Sequence, residues 1–215
     1  MNSSMVESFL PGPVFIAKFE WSQEGSQYHF DGLSMGKLKQ ALQIIHPLNS
    51  TIKDIFVEND SVIGISDKNK SGYIKAYLII RPNGSLELAG AVPTGEWGKC
   101  KNAWWSGAFE IPLLSQVNDS IKNLINLLAV SEEISLRMEL VGLGNTAFIY
   151  GSGGASEYPC PFPEEVKSFQ YPTMLSSRNN EYAWCKKELI DCFNALRKSF
   201  HESCTNPFYL KPYLT

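Results

Sequence analysis

The sequence predicts an α+β fold, in which an antiparallel sheet of several hairpins packs against two or three helices and a long C-terminal helix. Segments of alternating apolar and polar residues are joined by short turn-forming sequences, which is the pattern of antiparallel hairpins. Between and after these segments, apolar residues recur at helical spacing. We expect residues 1–215 to form a single domain.

A hairpin is predicted at residues 73–89. Residues 73–80 are rich in β-branched and aromatic side chains, which favour a strand. Asn83 and Gly84 tolerate the positive φ that a two-residue turn requires, and residues 85–89 resume the alternation. The two segments should therefore pair with each other.

A second hairpin is predicted at residues 134–150. Residues 134–140 alternate between apolar and polar side chains, which indicates a strand with one face toward solvent. Gly144 and Asn145 can form a turn, after which residues 146–150 return as a strand. We expect these two segments to pair with each other as well.

A helix is predicted between these two hairpins. Its apolar residues recur at helical spacing and are Leu113, Leu114, Val117, Ile121, Leu124, Ile125 and Leu128. Polar residues occupy its other faces. We expect this helix to cover one side of the sheet.

The N-terminal part of the chain is predicted to contain a flexible lead-in followed by a hairpin. Residues 1–13 form the lead-in, which ends in Pro11-Gly-Pro13. Residues 15–21 are typical of a strand, and a polar turn leads from them to a return strand at residues 28–30. These two strands form the first predicted hairpin.

A short helix and a further hairpin are predicted next. Ser34 can cap the helix, and Pro47 would end it because proline cannot continue the backbone hydrogen bonding. The apolar positions of this helix are Leu38, Leu42 and Ile45. Residues 55–57 and 62–65 bracket a polar turn and are predicted to pair.

The C-terminal part is predicted to be an irregular segment, residues 151–176, followed by a long helix, residues 177–204. Glycine and proline are frequent in the first segment. The helix carries a narrow apolar stripe of Tyr182, Cys185, Leu189, Cys192, Leu196 and Phe200. The stripe can pack on the sheet of the same chain or form the seam of a homodimer, and we favour packing within the chain.

One part of the chain resembles a known family. Its order is Arg81-Pro-Asn-Gly-Ser-Leu-Glu87, then Glu110-Ile-Pro-Leu-Leu114 at the start of a helix, then Leu136-Arg-Met-Glu-Leu-Val-Gly-Leu-Gly144. Residues 72–151 are thereby similar to the C-terminal portion of bacterial proteins that carry an N-terminal Schlafen AlbA-type DNA-binding domain. The AlbA-type domain itself is not evident in residues 1–70. The resemblance implies an accessory module of a DNA-associated or defence-type protein, and it assigns no site residue.

Charge and hydropathy limit the classes of partner. The formal net charge is −3, so the chain as a whole lacks the basic character that favours non-specific binding to nucleic acid. No segment approaches the roughly 20 apolar residues that span a bilayer, and the N-terminus has no pattern of a secretory signal. We therefore expect a cytoplasmic protein without a membrane partner.

No catalytic, cofactor-binding or metal-binding motif is recognisable. Residues 151–156 are rich in glycine and follow a strand, but they lead into prolines instead of the helix that a phosphate-binding loop needs. Among five cysteines and three histidines, only His201 and Cys204 lie at a short ligand spacing. We predict no catalytic residue, no cofactor and no metal.

A cysteine hydrolase is the enzymatic alternative. It would need a thiol nucleophile that is oriented by a histidine distant in sequence. Cys100 and Cys160 lie in predicted loops, and His29 or His201 could provide the base. Neither cysteine lies in a recognisable local signature, so we do not expect enzymatic activity.

The segment from Gly95 to Gly107 is the candidate binding site. It combines Trp97, Lys99, Lys101, Trp104 and Trp105. Aromatic faces and lysines together suit stacking on nucleotide bases or a contact with an apolar protein surface. The structural alternative is that Trp104 and Trp105 fold back to cover the sheet. A second basic stretch lies on the predicted C-terminal helix and consists of Lys186, Lys187, Arg197 and Lys198.

These observations predict a non-enzymatic binding or regulatory module. We expect it to act through a protein partner or through self-association, and the resemblance implies a DNA-associated or defence system. Direct binding of nucleic acid through the tryptophan and lysine segment is the first alternative. An unrecognised hydrolase or nuclease is the second.

Overall fold

The computed structural model describes residues 9, 11–21, 35–82, 84–130, 133–151, 157–176, 184–199 and 208–213. The strands are β1 (Val14–Trp21), β2 (Ile52–Glu58), β3 (Ser61–Ser66), β4 (Ala76–Arg81), β5 (Ser85–Ala91), β6 (Thr94–Trp97), β7 (Cys100–Trp105), β8 (Ile134–Val141), β9 (Ala147–Gly151), β10 (Glu157–Pro161), β11 (Ser168–Gln170) and β12 (Met174–Leu175). The helices are α1 (Met35–Gln43), α2 (Gly107–Gln116), α3 (Lys122–Leu127) and α4 (Lys186–Lys198). A π-helical turn, Val117–Ile121, joins α2 to α3, and short 3-10 turns lie at Pro47–Asn49 and Phe208–Tyr213.

The strands form two sheets. The main sheet has 8 strands in the order β11-β8-β1-β5-β4-β3-β2, with β12 also paired to β8, and its strand pairs are antiparallel. The second sheet has 4 strands in the order β10-β9-β7-β6, and in it β7 and β9 are parallel. An antiparallel sheet with helices confirms the predicted α+β class.

Two of the predicted hairpins are confirmed. β4 and β5 pair in register from Ala76 opposite Gly90 to Arg81 opposite Ser85, so residues 82–84 connect the strands instead of a two-residue turn, and Gly84 has the predicted positive φ, 81°. β2 and β3 pair around a turn whose residues, Asn59 and Asp60, have φ angles of 48° and 58°. Positive φ at both turn residues matches the right-handed twist of paired strands.

The predicted hairpin of residues 134–150 is wrong. β8 pairs with β1 in the main sheet, whereas β9 pairs with β7 and β10 in the second sheet. The connection between them carries a buried residue, Leu143, whose backbone N–H donates to the carbonyl of Lys167 at 3.2 Å. Leu143 is thus buried in the principal core at the point where the chain passes from the main sheet to the second sheet.

Both edges of β1 are occupied. β5 pairs with it from Val14 to Glu20, and β8 pairs with it along its whole length. The predicted return strand at residues 28–30 lies outside the described residues. Phe9, from the expected lead-in, is buried, and its ring centroid lies 5.4 Å from that of Tyr77.

The helices cover one face of the main sheet and enclose the principal core. The predicted helix of residues 113–128 is confirmed as α2, the π turn and α3, and its seven predicted apolar residues are all buried there. The ring of Phe15 from β1 stacks on Phe109 from α2 with a centroid distance of 4.3 Å. α1 contributes Leu38 and Leu42 to the same core, as its spacing predicts.

The C-terminal helix starts later than predicted. α4 begins at Lys186, and Cys185 before it has extended backbone angles, with φ −67° and ψ 112°. Asn118 accounts for this start, because its side-chain amide donates to the carbonyl of Trp184 and its side-chain carbonyl accepts from the N–H of Trp184, both at 2.8 Å. Residues 177–183 and 200–207 lie outside the described part of the chain.

The apolar stripe of α4 faces its own chain. Leu189, Cys192 and Leu196 are buried in the principal core, whereas Cys185 is exposed. This is the packing within the chain that we favoured over a dimer seam. In residues 151–176, which we expected to be irregular, the chain forms the short strands β10, β11 and β12. Within the described ranges no helix is long and apolar enough to cross a membrane.

Candidate functional site

The tryptophan and lysine segment forms a β-hairpin, which we call the β6–β7 hairpin. Thr94 lies opposite Trp104, and an irregularity after Gly95 brings Trp97 opposite Cys100. The turn between the strands uses Gly98, whose φ of 58° lies in the left-handed region that glycine adopts at no steric cost. The segment that we expected to be a loop is therefore an ordered extension of the second sheet.

Trp104 belongs to the core. It is 1% exposed, and its indole N–H donates to the hydroxyl of Thr146 at 2.9 Å. Its ring stacks on that of Phe162 at a centroid distance of 6.0 Å and lies 5.0 Å from that of Phe148. Its apolar faces and its polar atom are thus both used within the chain, and the ring presents no face to a ligand.

Trp97 and Trp105 remain accessible. Trp97 is 42% exposed and Trp105 is 38% exposed. The ring of Trp105 meets that of Tyr209 edge to face at 4.7 Å. Gly107 also lies so close to this ring that an added Cβ would be 2.3 Å from a ring carbon of Trp105. The neighbouring groups therefore hold the indole of Trp105 in one orientation while part of it faces solvent.

The two lysines of the β6–β7 hairpin are both exposed. Neither Lys99 nor Lys101 forms an ion pair with another described residue. The extra residue of the irregularity in this hairpin lies on β7 between Cys100 and Ala103, so the alternation of side chains is interrupted beside Lys101. Of the five predicted binding residues, the structure leaves four accessible: Trp97, Lys99, Lys101 and Trp105.

The second basic stretch is not a single surface. Lys186, Lys187 and Lys198 are exposed, but Arg197 is 2% exposed and forms an ion pair with the fully buried carboxylate of Glu110. Burial opposes the charge on Arg197, but the Glu110 carboxylate raises the pKa of its guanidinium, so Arg197 stays protonated. Arg197 is therefore unavailable to an external anion.

A buried polar network surrounds this ion pair. One terminal guanidinium nitrogen of Arg197 donates to the hydroxyl oxygen of Ser106 at 2.9 Å and to that of Tyr209. The other terminal nitrogen donates to the side-chain carbonyl of Asn194 at 3.1 Å. The Tyr209 hydroxyl donates to Glu110 at 2.7 Å, and burial, followed by the Glu110 charge, raises the pKa of Tyr209 well above its usual value. The network joins α2, α4 and the Phe208–Tyr213 turn.

This network also supports the β6–β7 hairpin. The hydroxyl of Tyr209 lies in the network, while its ring contacts Trp105. One feature of the sequence could have indicated the buried polar network, because Glu110 is a lone carboxylate in an apolar helix segment. Such a residue is rarely buried without a cationic partner.

The features that would mark an enzyme do not converge in the described ranges. Cys100 and Cys160 are half-buried on strands β7 and β10, and His29 and His201 lie outside those ranges. Among the described residues, no three histidine, cysteine, aspartate or glutamate side chains group closely enough to hold a metal ion. Gly151 and Glu157 pair across β9 and β10, and residues 152–156 between them are not described.

The geometry therefore defines one predicted site with an accessible surface, the β6–β7 hairpin. Its exposed part consists of two tryptophans and two lysines that an ordered scaffold supports. Comparisons of the chain with models of protein families, with curated proteins and with solved structures find no match.

Proposed function

We propose that this chain is a non-enzymatic binding module that contacts a protein partner through the β6–β7 hairpin. The observation that carries the proposal is the exposure of Trp97 and Trp105 on an ordered hairpin. Each tryptophan is about two-fifths accessible. Exposed tryptophans on a rigid support are typical anchors of protein interfaces, because they bury a large apolar area and lose little conformational entropy.

The charges of the β6–β7 hairpin favour a protein partner over nucleic acid. Glu96 lies beside the two lysines, so Lys99 and Lys101 give the tip a net charge of only +1. Stacking on a single strand uses successive aromatic faces, and the burial of Trp104 removes the central one. On a protein partner, an apolar pocket would receive the exposed tryptophans, and acidic or mixed polar residues around that pocket would contact the two lysines.

Self-association is one form of this proposal, in which the partner is a second copy of the chain. The stripe on α4 is used within the chain, so a homodimer would have to use another surface. The resemblance to AlbA-type proteins would place the module in a DNA-associated or defence system, and that part of the proposal rests on the resemblance alone.

Site-specific photo-cross-linking tests the proposal. The photoreactive residue p-benzoylphenylalanine replaces Trp97 in one variant and Phe56 in the control, because Phe56 is also aromatic and is 40% exposed on β2. We expect discrete protein adducts from position 97 and none of these from position 56. The adducts should weaken when Lys99→Glu and Lys101→Glu are added, and an adduct of twice the chain mass would identify self-association.

Two results would overturn the proposal. One is an identical set of adducts from positions 97 and 56, which would show that the β6–β7 hairpin has no preference for a partner. The other is binding of a labelled oligonucleotide that weakens steeply with salt and is lost in the Trp97→Ala/Trp105→Ala variant. Fluorescence anisotropy at low and moderate salt measures this, and such a result would assign the hairpin to nucleic acid.

A further inference from the structure

A polar groove of about 400 Å³ lies at a corner of the main sheet, where β2 begins, β3 ends and β4 begins. One wall is the turn that leads into β2, with Asn49, Ser50 and Thr51. The other wall is the segment between β3 and β4, which carries Lys68 and Lys75, and Lys53 on β2 completes the lining. We call it the lysine groove. It involves no residue of the β6–β7 hairpin.

The lysine groove is positively charged although the protein is not. Three lysines and one acidic residue, Asp67, line it, which gives a net charge of +2, against −3 for the whole chain. None of the three lysines makes an ion pair or a side-chain hydrogen bond with a described residue. Three like charges in one concave site repel each other, so a bound anion would relieve a repulsion that the chain leaves uncompensated.

The wall that carries Lys68 and Lys75 has a fixed backbone. The side-chain carbonyl of Asn69 accepts from the N–H groups of Ser71 at 2.9 Å and of Tyr73 at 3.0 Å. The hydroxyl oxygen of Ser66 accepts from the N–H of Lys75 at 2.9 Å. These bonds fix the points from which the two lysines extend, so binding would order only their side chains.

The opposite wall is equally fixed. Leu48 has a φ of 49°, which a leucine adopts only when its surroundings enforce it, and Asn49 has a φ of 60°, which asparagine tolerates. The side chain of Leu48 packs against Gly90, where an added Cβ would lie 2.8 Å from a methyl of Leu48. The absence of a side chain at Gly90 thus lets Leu48 enter, and the turn then presents the side chains of Asn49, Ser50 and Thr51 toward the lysine groove.

We propose that the lysine groove binds a ligand that carries adjacent phosphate groups. Three ammonium groups match the several negative charges of a polyphosphate better than the single charge of a carboxylate. The amide of Asn49 and the hydroxyls of Ser50 and Thr51 add uncharged donors for the remaining phosphate oxygens. A free polyphosphate, such as the triphosphate of a nucleotide, and the backbone of a nucleic acid both present this chemistry.

The test compares two probes on three proteins. Sodium triphosphate is titrated by calorimetry, and a labelled single-stranded oligonucleotide is titrated by fluorescence anisotropy, each at low and at moderate salt. The proteins are the wild type, the groove variant Lys53→Gln/Lys68→Gln/Lys75→Gln, and the control variant Lys37→Gln/Lys39→Gln/Lys187→Gln. The control removes the same total charge from exposed lysines on α1 and α4.

We expect the groove variant to lose at least roughly tenfold in affinity for a bound probe, and the control to stay within about twofold of the wild type. Binding of triphosphate alone would identify a free polyphosphate, and oligonucleotide binding that triphosphate displaces would identify a nucleic-acid backbone. Binding of neither probe at low salt, or equal weakening in both variants, would overturn the proposal. All six lysines are exposed, so a thermal melt should show that both variants fold.

Discussion

Arg197 and Glu110 form an ion pair in the interior of the protein, where their side chains are 2% and 0% exposed. The residues come from the last turn of α4 and the first turn of α2, so the pair joins two helices that are far apart in sequence. A buried pair of this kind contributes little if both charges are replaced by apolar groups, but removing one partner leaves an uncompensated charge.

Arg197→Met should therefore destabilise the protein strongly. We expect a loss of about 3–5 kcal/mol in the free energy of unfolding, because Glu110 would remain buried without its cation. Urea denaturation measures the loss. Arg137→Met is the matched control, since Arg137 pairs with Glu20 at 3.2 Å but is 67% exposed, and it should cost less than about 1 kcal/mol. The double variant Arg197→Met/Glu110→Leu should recover much of the loss, and a single variant as stable as the control would contradict this account.

Asn118→Ala should destabilise the start of α4. It removes the two hydrogen bonds to the backbone of Trp184, a residue that is buried, and leaves an N–H and a carbonyl without these partners. We expect a cost of about 1–3 kcal/mol by chemical denaturation. Asn126→Ala on α3 is the control, because Asn126 is exposed, and it should change stability by less than about 0.5 kcal/mol. Equal effects of the two substitutions would show that the Asn118 contact does not matter.

Cys192 should resist modification in the folded protein. Burial raises the pKa of its thiol to about 12, and only the thiolate reacts with a disulfide reagent. At pH 8 the labelling of Cys192 should be at least roughly a hundredfold slower than that of the exposed Cys185, as peptide mass mapping would measure. Comparable rates for the two residues would refute the burial of Cys192.

The same shift has a consequence for stability. A thiol in the unfolded chain ionises near pH 8.5, about the usual value. Because the folded pKa is higher, the folded state keeps its proton where the unfolded state loses it, so the stabilisation is complete below pH 8.5 and is lost as the pH rises toward 12. Cys192→Val should make alkaline unfolding less steep in this range.

Asp60→Gly should stabilise the β2–β3 hairpin. Asp60 has a φ of 58°, which costs an ordinary residue conformational energy but costs glycine none. We expect a net gain of about 0.5–1 kcal/mol, because relief of the left-handed conformation, about 1–2 kcal/mol, exceeds the extra backbone entropy that glycine loses on folding, about 0.5–1 kcal/mol. A higher melting temperature would show this gain. Asp54→Gly, in the paired part of β2 opposite Ile65, should lower the melting temperature instead. A destabilising Asp60→Gly would contradict the turn geometry.

Local signals predicted most of the elements but not all of their partners. The turn at Asn59-Asp60 and the connection at residues 82–84 each join strands that are consecutive in the chain, so nearby sequence is enough to predict those pairings. For β8 it does not. Its alternation is the same whichever strand it joins, and its place beside β1 depends on the burial of Leu143 and on contacts distant along the chain.

The candidate sites also depend on contacts that the local sequence does not reveal. Trp104 and Trp105 are adjacent on a strand, so one must point inward and the other outward, but composition cannot say which. The lysine groove brings Lys53 from β2 together with Lys68 and Lys75 from the β3–β4 connection, and no spacing in the sequence relates them. Glu110 is the exception, because a lone carboxylate in an apolar helix could have been read as a buried ion-pair partner.

The parallel pairing of β7 with β9 bears on the order of folding. Residues 106–146 separate the two strands, and they include α2, α3 and β8, which must find their places in the principal core. Hairpins such as β4–β5 can form early because their loops are short, whereas this pairing has to close a long loop. We therefore expect the β6–β7 hairpin, which carries Trp97 and Trp105, to form early like β4–β5, and its parallel pairing with β9 to form late.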